Sequence, residues 1–147
     1  MYSSYHDSQT GAFLYLNLVT ERFDETWAFY TELLGFGTLL AEDSYVRLFH
    51  PSGVQLGFMR HETHELHPEL VSATEGRGFW LNLEVADSGW EYKRLCDAGV
   101  TVVRPLEAQS CGGCSFTIRD PNGVLICVTE VGRPLSPAEE VESCRSE

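Results

Sequence analysis

The feature that most constrains how this chain can fold is that it repeats itself. Residues Phe13-Leu14-Tyr15-Leu16-Asn17-Leu18-Val19 alternate as a strand does, with Leu14, Leu16 and Leu18 on one face and Tyr15, Asn17 and Val19 on the other. Trp27, Phe29, Tyr30, Leu33 and Leu34 then recur at helical spacing, predicting a helix over 25–34 capped by Asp24 and stopped by Gly35. Strands are expected at 37–41, 45–49 and 54–60, the last two turning through Pro51-Ser52-Gly53. Trp80-Leu81-Asn82-Leu83-Glu84-Val85 returns to the Leu-Asn-Leu core of the first strand. A helix over 88–98 stopped by Gly99 follows, with strands near 100–104, 115–119 and 124–130, the last pair joined by Asp120-Pro121-Asn122-Gly123. Leu16 and Leu81 lie 65 residues apart, Gly35 and Gly99 64, and Pro51 and Pro121 70. Nearly constant offsets at several places mark a duplicated βαβββ unit. One copy alone leaves a sheet face uncovered, so the two are expected to pack into one curved sheet.

Composition narrows the partners. Ten Lys and Arg stand against 22 Asp and Glu, for a formal net charge of −12, which repels a phosphate backbone and an anionic membrane surface alike. No apolar run reaches the roughly 20 residues a spanning helix requires, and residues 2–7 are polar rather than basic and apolar. The five cysteines are odd in number and irregularly spaced, as where thiols stay reduced, so the expected location is the cytoplasm and no disulfide framework is implied.

Two stretches then carry a resemblance. Trp27-Ala28-Phe29-Tyr30-Thr31-Glu32-Leu33-Leu34-Gly35-Phe36 and Phe116-Thr117-Ile118-Arg119-Asp120-Pro121-Asn122-Gly123, in this order on this repeat, resemble the vicinal oxygen chelate superfamily: glyoxalase I, bleomycin-resistance proteins and extradiol dioxygenases. The resemblance implies an α+β fold in which two βαβββ modules form a curved, mixed eight-stranded sheet around a ligand cavity, often in homodimers. The domain would span residues 12–130, with modules at about 12–60 and 78–130, a linker at 61–77 and a C-terminal tail at 131–147.

The enzymes of that superfamily hold a divalent metal (Zn, Ni, Mn or Fe) on His or Glu side chains of the first and last strands of each module. By alignment those positions fall on Tyr15, Gly57, Trp80 and Cys127, which lack the usual donors. Glu84 is the one first-strand carboxylate on the inner side, and a single carboxylate is short of the three or four protein ligands usual for Zn. No metal cofactor is therefore expected. His61, His64 and His67 lie in the polar connector without His-Glu-x-x-His spacing. Cys111-Gly112-Gly113-Cys114 has redox spacing, but a strand rather than a helix follows it. The glycines never form a phosphate-cradling order.

What remains is an inner surface of Tyr15, Asn17, Gln55, Met59, Trp80, Asn82, Glu84 and Cys127, with Arg47 and Arg119 able to enter from matched regions of the two modules. Aromatic walls with few polar groups suit a small organic ligand, planar or cationic given the acidic body. Tyr15 and Trp80 either wall such a pocket or fill it. The reading is a metal-free protein that binds or sequesters a small organic molecule, similar to bleomycin-resistance proteins. The alternatives are a metal-dependent lyase or dioxygenase acting on a vicinal-oxygen substrate, if a strand register is slipped, and a structural partner domain with a filled cavity.

Overall fold

The structure, a computed structural model, describes residues 12–63, 67–70, 72–109 and 113–130. The C-terminal tail, His64 and the Cys111-Gly112 pair lie outside the described residues. Strand β1 (Leu16–Thr20) leads to helix α1 (Phe23–Ala28), which widens into a π-helical turn at Phe29–Leu33, and then to β2 (Gly37–Ala41), β3 (Tyr45–Phe49) and β4 (Gln55–Arg60). After a short 3₁₀ turn at Pro68–Leu70 the order repeats as β5 (Trp80–Val85), α2 (Ser88–Asp97), β6 (Thr101–Ala108), β7 (Cys114–Arg119) and β8 (Leu125–Glu130).

Each module is one mixed four-stranded sheet, in the orders β1-β4-β3-β2 and β5-β8-β7-β6. In both, the first strand pairs parallel with the last and the others run antiparallel, with Asn17 beside Gly57 and Asn82 beside Cys127. The expected eight strands are thus present as two matching halves, and among the described residues no ladder joins them. β1 and β5 are left as edge strands.

The first helix departs from its sequence pattern. It begins at Phe23, and Asp24 lies in its first turn rather than capping it, where a negative charge suits the helix dipole. Arg22 occupies the cap without a side-chain bond, and its N–H donates instead to Thr20 Oγ1 (2.9 Å). Farther along, Thr31 Oγ1 donates to Trp27 O (2.7 Å), back-bonding of the kind that loosens a helix, and the π turn follows. The second helix starts at a true cap, Asp87 Oδ1 accepting from Trp90 N (2.9 Å). Both helices stop at glycines with positive φ, Gly35 (78°) and Gly99 (80°).

One hydrophobic core runs through both modules, from Leu18, Phe29, Leu48 and Phe58 to Leu95, Phe116, Ile126 and Val128. The leucine face of the first strand is covered at one end only: Leu18 is buried, but Leu16 is 43% and Leu14 96% exposed, since the strand begins at Leu16 and none of the described residues packs over Leu14 ahead of it. The modules are tied by a buried polar seam. Tyr30 donates its hydroxyl to Asp120 Oδ2 (2.8 Å), while Asp120 Oδ1 accepts from the backbone N–H of Asn122 and Val124 (2.8 Å each). Asn122 reaches back to Thr26 (3.0 Å) and accepts from Thr20, and Arg94 donates to Leu33 O (2.6 Å). Burial first, and the Asp120 charge second, push the Tyr30 phenol far above its ordinary range, so it stays a donor. The Asp120-Pro121-Asn122-Gly123 turn is therefore a joint between modules as well as a hairpin.

Candidate functional site

The helices and core cover one face of each sheet, and strand alternation sends every second residue to the opposite, open face. In module one that face carries Asn17 and Val19 from β1, Tyr45 and Arg47 from β3, and Gln55, Gly57 and Met59 from β4, with Tyr15 just ahead of β1. Its members hold one another. Tyr45 donates its hydroxyl to Asn17 Oδ1 (2.8 Å), and the Arg47 guanidinium lies over the Tyr15 ring, 4.9 Å from its centroid. Burial, followed by the neighbouring Tyr15 phenol, pushes the Tyr45 hydroxyl up to about 12.

Gly57 explains this arrangement. A Cβ built on it would meet Asn17 Oδ1 and the Tyr45 hydroxyl, with ring carbon Cε2 at 2.9 Å. Because glycine has no side chain, Asn17 and Tyr45 close over the place where a last-strand ligand would project. Gly57 is buried beneath them.

The open face of module two carries Trp80, Asn82 and Glu84 from β5, Leu125, Cys127 and Thr129 from β8, and Ser115, Thr117 and Arg119 from β7. It is bare by comparison. Trp80 is 67% exposed, and Asn82 and Glu84 are exposed beside it, so Trp80 fills no cavity within the single chain. Ser115 Oγ accepts from Gln109 Nε2 (2.5 Å), but around Cys127 the polar contacts are long: Cys127 Sγ lies 3.6 Å from Thr129 Oγ1, and Thr129 Oγ1 3.5 Å from Asn82 Oδ1. Arg119 shares the face by register, but its guanidinium donates to Gly123 O (3.3 Å) in the turn.

Of the sequence candidates, Tyr15, Asn17, Gln55 and Met59 thus share one open face, and Trp80, Asn82, Glu84 and Cys127 share the other. Among the described residues no ladder brings the two faces together. A concavity of about 230 Å³ opens elsewhere, between Glu25, Phe29 and Leu33 of the first helix and Val100, Thr101 and Pro121 of the second module. Sequence reasoning missed Tyr45, although the alternation of Tyr45 and Arg47, both half-buried in the structure, with apolar Val46 and Leu48 in β3 was the signal for it. His50, outside this face, packs on Phe36 with ring centroids 5.0 Å apart, and burial lowers its pKa.

Two βαβββ modules, each with a parallel first-to-last strand pair and one open polar and aromatic face, define a paired-module class of proteins. The chain matches the family described as Glyoxalase/Bleomycin resistance protein/Dioxygenase superfamily over residues 12–128, and it belongs to that superfamily. Solved structures with the same fold include TioX from Micromonospora sp. ML1, with 20% identity, a TM-score of 0.63, and coverage of 81% of this chain and 98% of that one. A glyoxalase/bleomycin resistance protein/dioxygenase from Nocardioides shows 19% identity and a TM-score of 0.66, covering 92% and 94%. A superfamily member from Sphaerobacter thermophilus shows 21% identity and a TM-score of 0.60, covering 81% and 97%. No curated protein matches the chain.

The superfamily implies a divalent metal, and the donors here do not fit one. Tyr15 lies under a guanidinium, Gly57 has no donor and its space is taken, Trp80 offers an indole, and Cys127 is a single thiol beside Asn82 and Thr129. Among the described residues no three His, Cys, Asp or Glu side chains gather as a metal site would require. Also among the described residues, no helix is long and apolar enough to cross a membrane.

Proposed function

We propose that this protein binds or sequesters a small organic molecule without a metal, similar in principle to the bleomycin-resistance proteins of its superfamily. The observation that carries this reading is the pair of open faces: an aromatic and an amide on, or just ahead of, each first strand, with no donor set for a hard cation among the described residues. Large amphipathic rings and a few hydrogen-bonding groups are what a small-molecule pocket needs. Each face alone is a wall rather than a pocket. The uncovered β1 edge, with Leu14 and Leu16 exposed beside it, and the exposed Trp80 favour a second copy of the chain as the other wall. The protein would then work as a homodimer, in the cytoplasm, where Cys96, Cys114 and Cys127 stay as free thiols.

A native mass spectrum of untagged protein tests this in one record. The expected result is a metal-free dimer, and extra organic mass would identify the ligand. Stoichiometric metal together with metal-dependent turnover of a vicinal-oxygen substrate would sink the proposal in favour of a lyase or dioxygenase. Trp80→Ala is expected to abolish the thermal shift given by any compound that binds the wild type.

A further inference from the structure

The open face of module one holds an arginine whose charge no carboxylate among the described residues answers. Arg22, Arg60, Arg77 and Arg94 each lie within 4.0 Å of a carboxylate, whereas among the described residues none lies that close to Arg47, Arg104 or Arg119, and of these three only Arg47 has a buried nitrogen without a partner. Its Nε is shut off from water and has no hydrogen-bond partner. Leaving a buried donor unsatisfied costs free energy, more so on a charged group, and such an exception calls for a missing partner. A chain with 22 acidic residues has no shortage of carboxylates to supply one. The guanidinium instead lies over the Tyr15 ring, its central carbon 4.9 Å from the centroid, which holds it on this face. Its row on the sheet continues through Gly57, which is covered by the bonded side chains of Asn17 and Tyr45.

We infer that Arg47 is the anion-recognition residue of the proposed site, and that the ligand class is a planar aromatic carboxylate. This rests on the small-molecule reading above and sharpens it. A planar, permanently charged fork matches a carboxylate with two parallel hydrogen bonds, a pairing an ammonium group cannot copy. The aromatic body of the ligand then lies against Tyr15 on this face and against the exposed Trp80 ring of the other. The acidic surface elsewhere on the chain repels free anions, so binding depends on this one guanidinium.

The test is calorimetric titration of the full chain with three matched probes: 2-naphthoate, 2-naphthamide and 2-naphthylmethylammonium. Naphthoate is expected to bind about tenfold or more tightly than the amide, with the ammonium weakest. Arg47→Met is expected to erase that preference, naphthoate falling to the affinity of the amide, and a single cooperative urea transition reports that the variant is folded. Arg47→Lys is expected to restore only part of it, since it returns the charge without the fork. Should Arg47→Met not fold, the wild-type ratio of naphthoate to naphthamide decides alone. Equal binding of anion and amide, or a preference that survives Arg47→Met, overturns the anion assignment and leaves the pocket standing. If none of the three probes binds the wild type, the small-molecule reading falls with it.

Discussion

The two modules share a topology and differ on the face that matters. Module one has linked its open face to itself: Tyr45 bonds Asn17 over Gly57, and Arg47 stacks on Tyr15. Module two leaves Trp80, Asn82 and Glu84 exposed, with only contacts of 3.5 Å and 3.6 Å linking Asn82, Thr129 and Cys127. Duplication supplied two equivalent frames, and the residues at matched positions made one a preorganised surface and the other an adaptable one. A recognition surface whose parts are already held loses less entropy when it binds, so under the proposed binding role module one would set specificity and module two would add contact area.

The largest expected effect comes from the seam that holds both faces in one body. Asp120→Ala strips the acceptor from the Tyr30 hydroxyl and from two buried backbone donors, and is expected to cost about 3 kcal/mol in urea unfolding. If the modules were independent, the transition would split in two; a single shifted transition is expected because the core is shared. Next come matched substitutions at equivalent last-strand positions. Gly57→Ala drives a methyl group into Asn17 and Tyr45 and is expected to cost about 1–3 kcal/mol, against under about 1 kcal/mol for Cys127→Ala. Equal costs would erase the difference between the faces.

A third effect is read with pH. The Tyr45 phenol titrates at about 12 in the folded chain against an ordinary 10.0, so the unfolded state loses its proton first. Its stabilising contribution is complete below pH 10 and is lost as pH rises through about 12. Tyr30 shifts in the same direction, so the comparison is between wild type and Tyr45→Phe, whose stability should fall less steeply across that window. The smallest effect belongs to Trp80→Ala, expected to change monomer stability by less than about 0.5 kcal/mol because the ring is mostly exposed, even as it removes binding.

The repeat, the element order and the assignment of Asn17, Gln55, Met59, Trp80, Asn82, Glu84 and Cys127 to open faces were legible because a strand's period of two states which residues share a side. The start of the first helix was not, because Asp24 is a plausible cap by type and only the Arg22 to Thr20 bond decides otherwise. The separation of the sheets was also hidden, since strand patterns carry pairing within a module but not the ladder between modules. Tyr45 went unnoticed because its role depends on an absence, the missing side chain of Gly57, which a reading of residue types passes over.

That absence couples three positions. No larger side chain can enter position 57 by one substitution without displacing Asn17 and Tyr45, which stand where its first carbon would go. Sites in such contact show strongly non-additive effects, so a donor side chain at 57 calls for joint changes at 17 and 45, and the three positions behave as one unit under substitution.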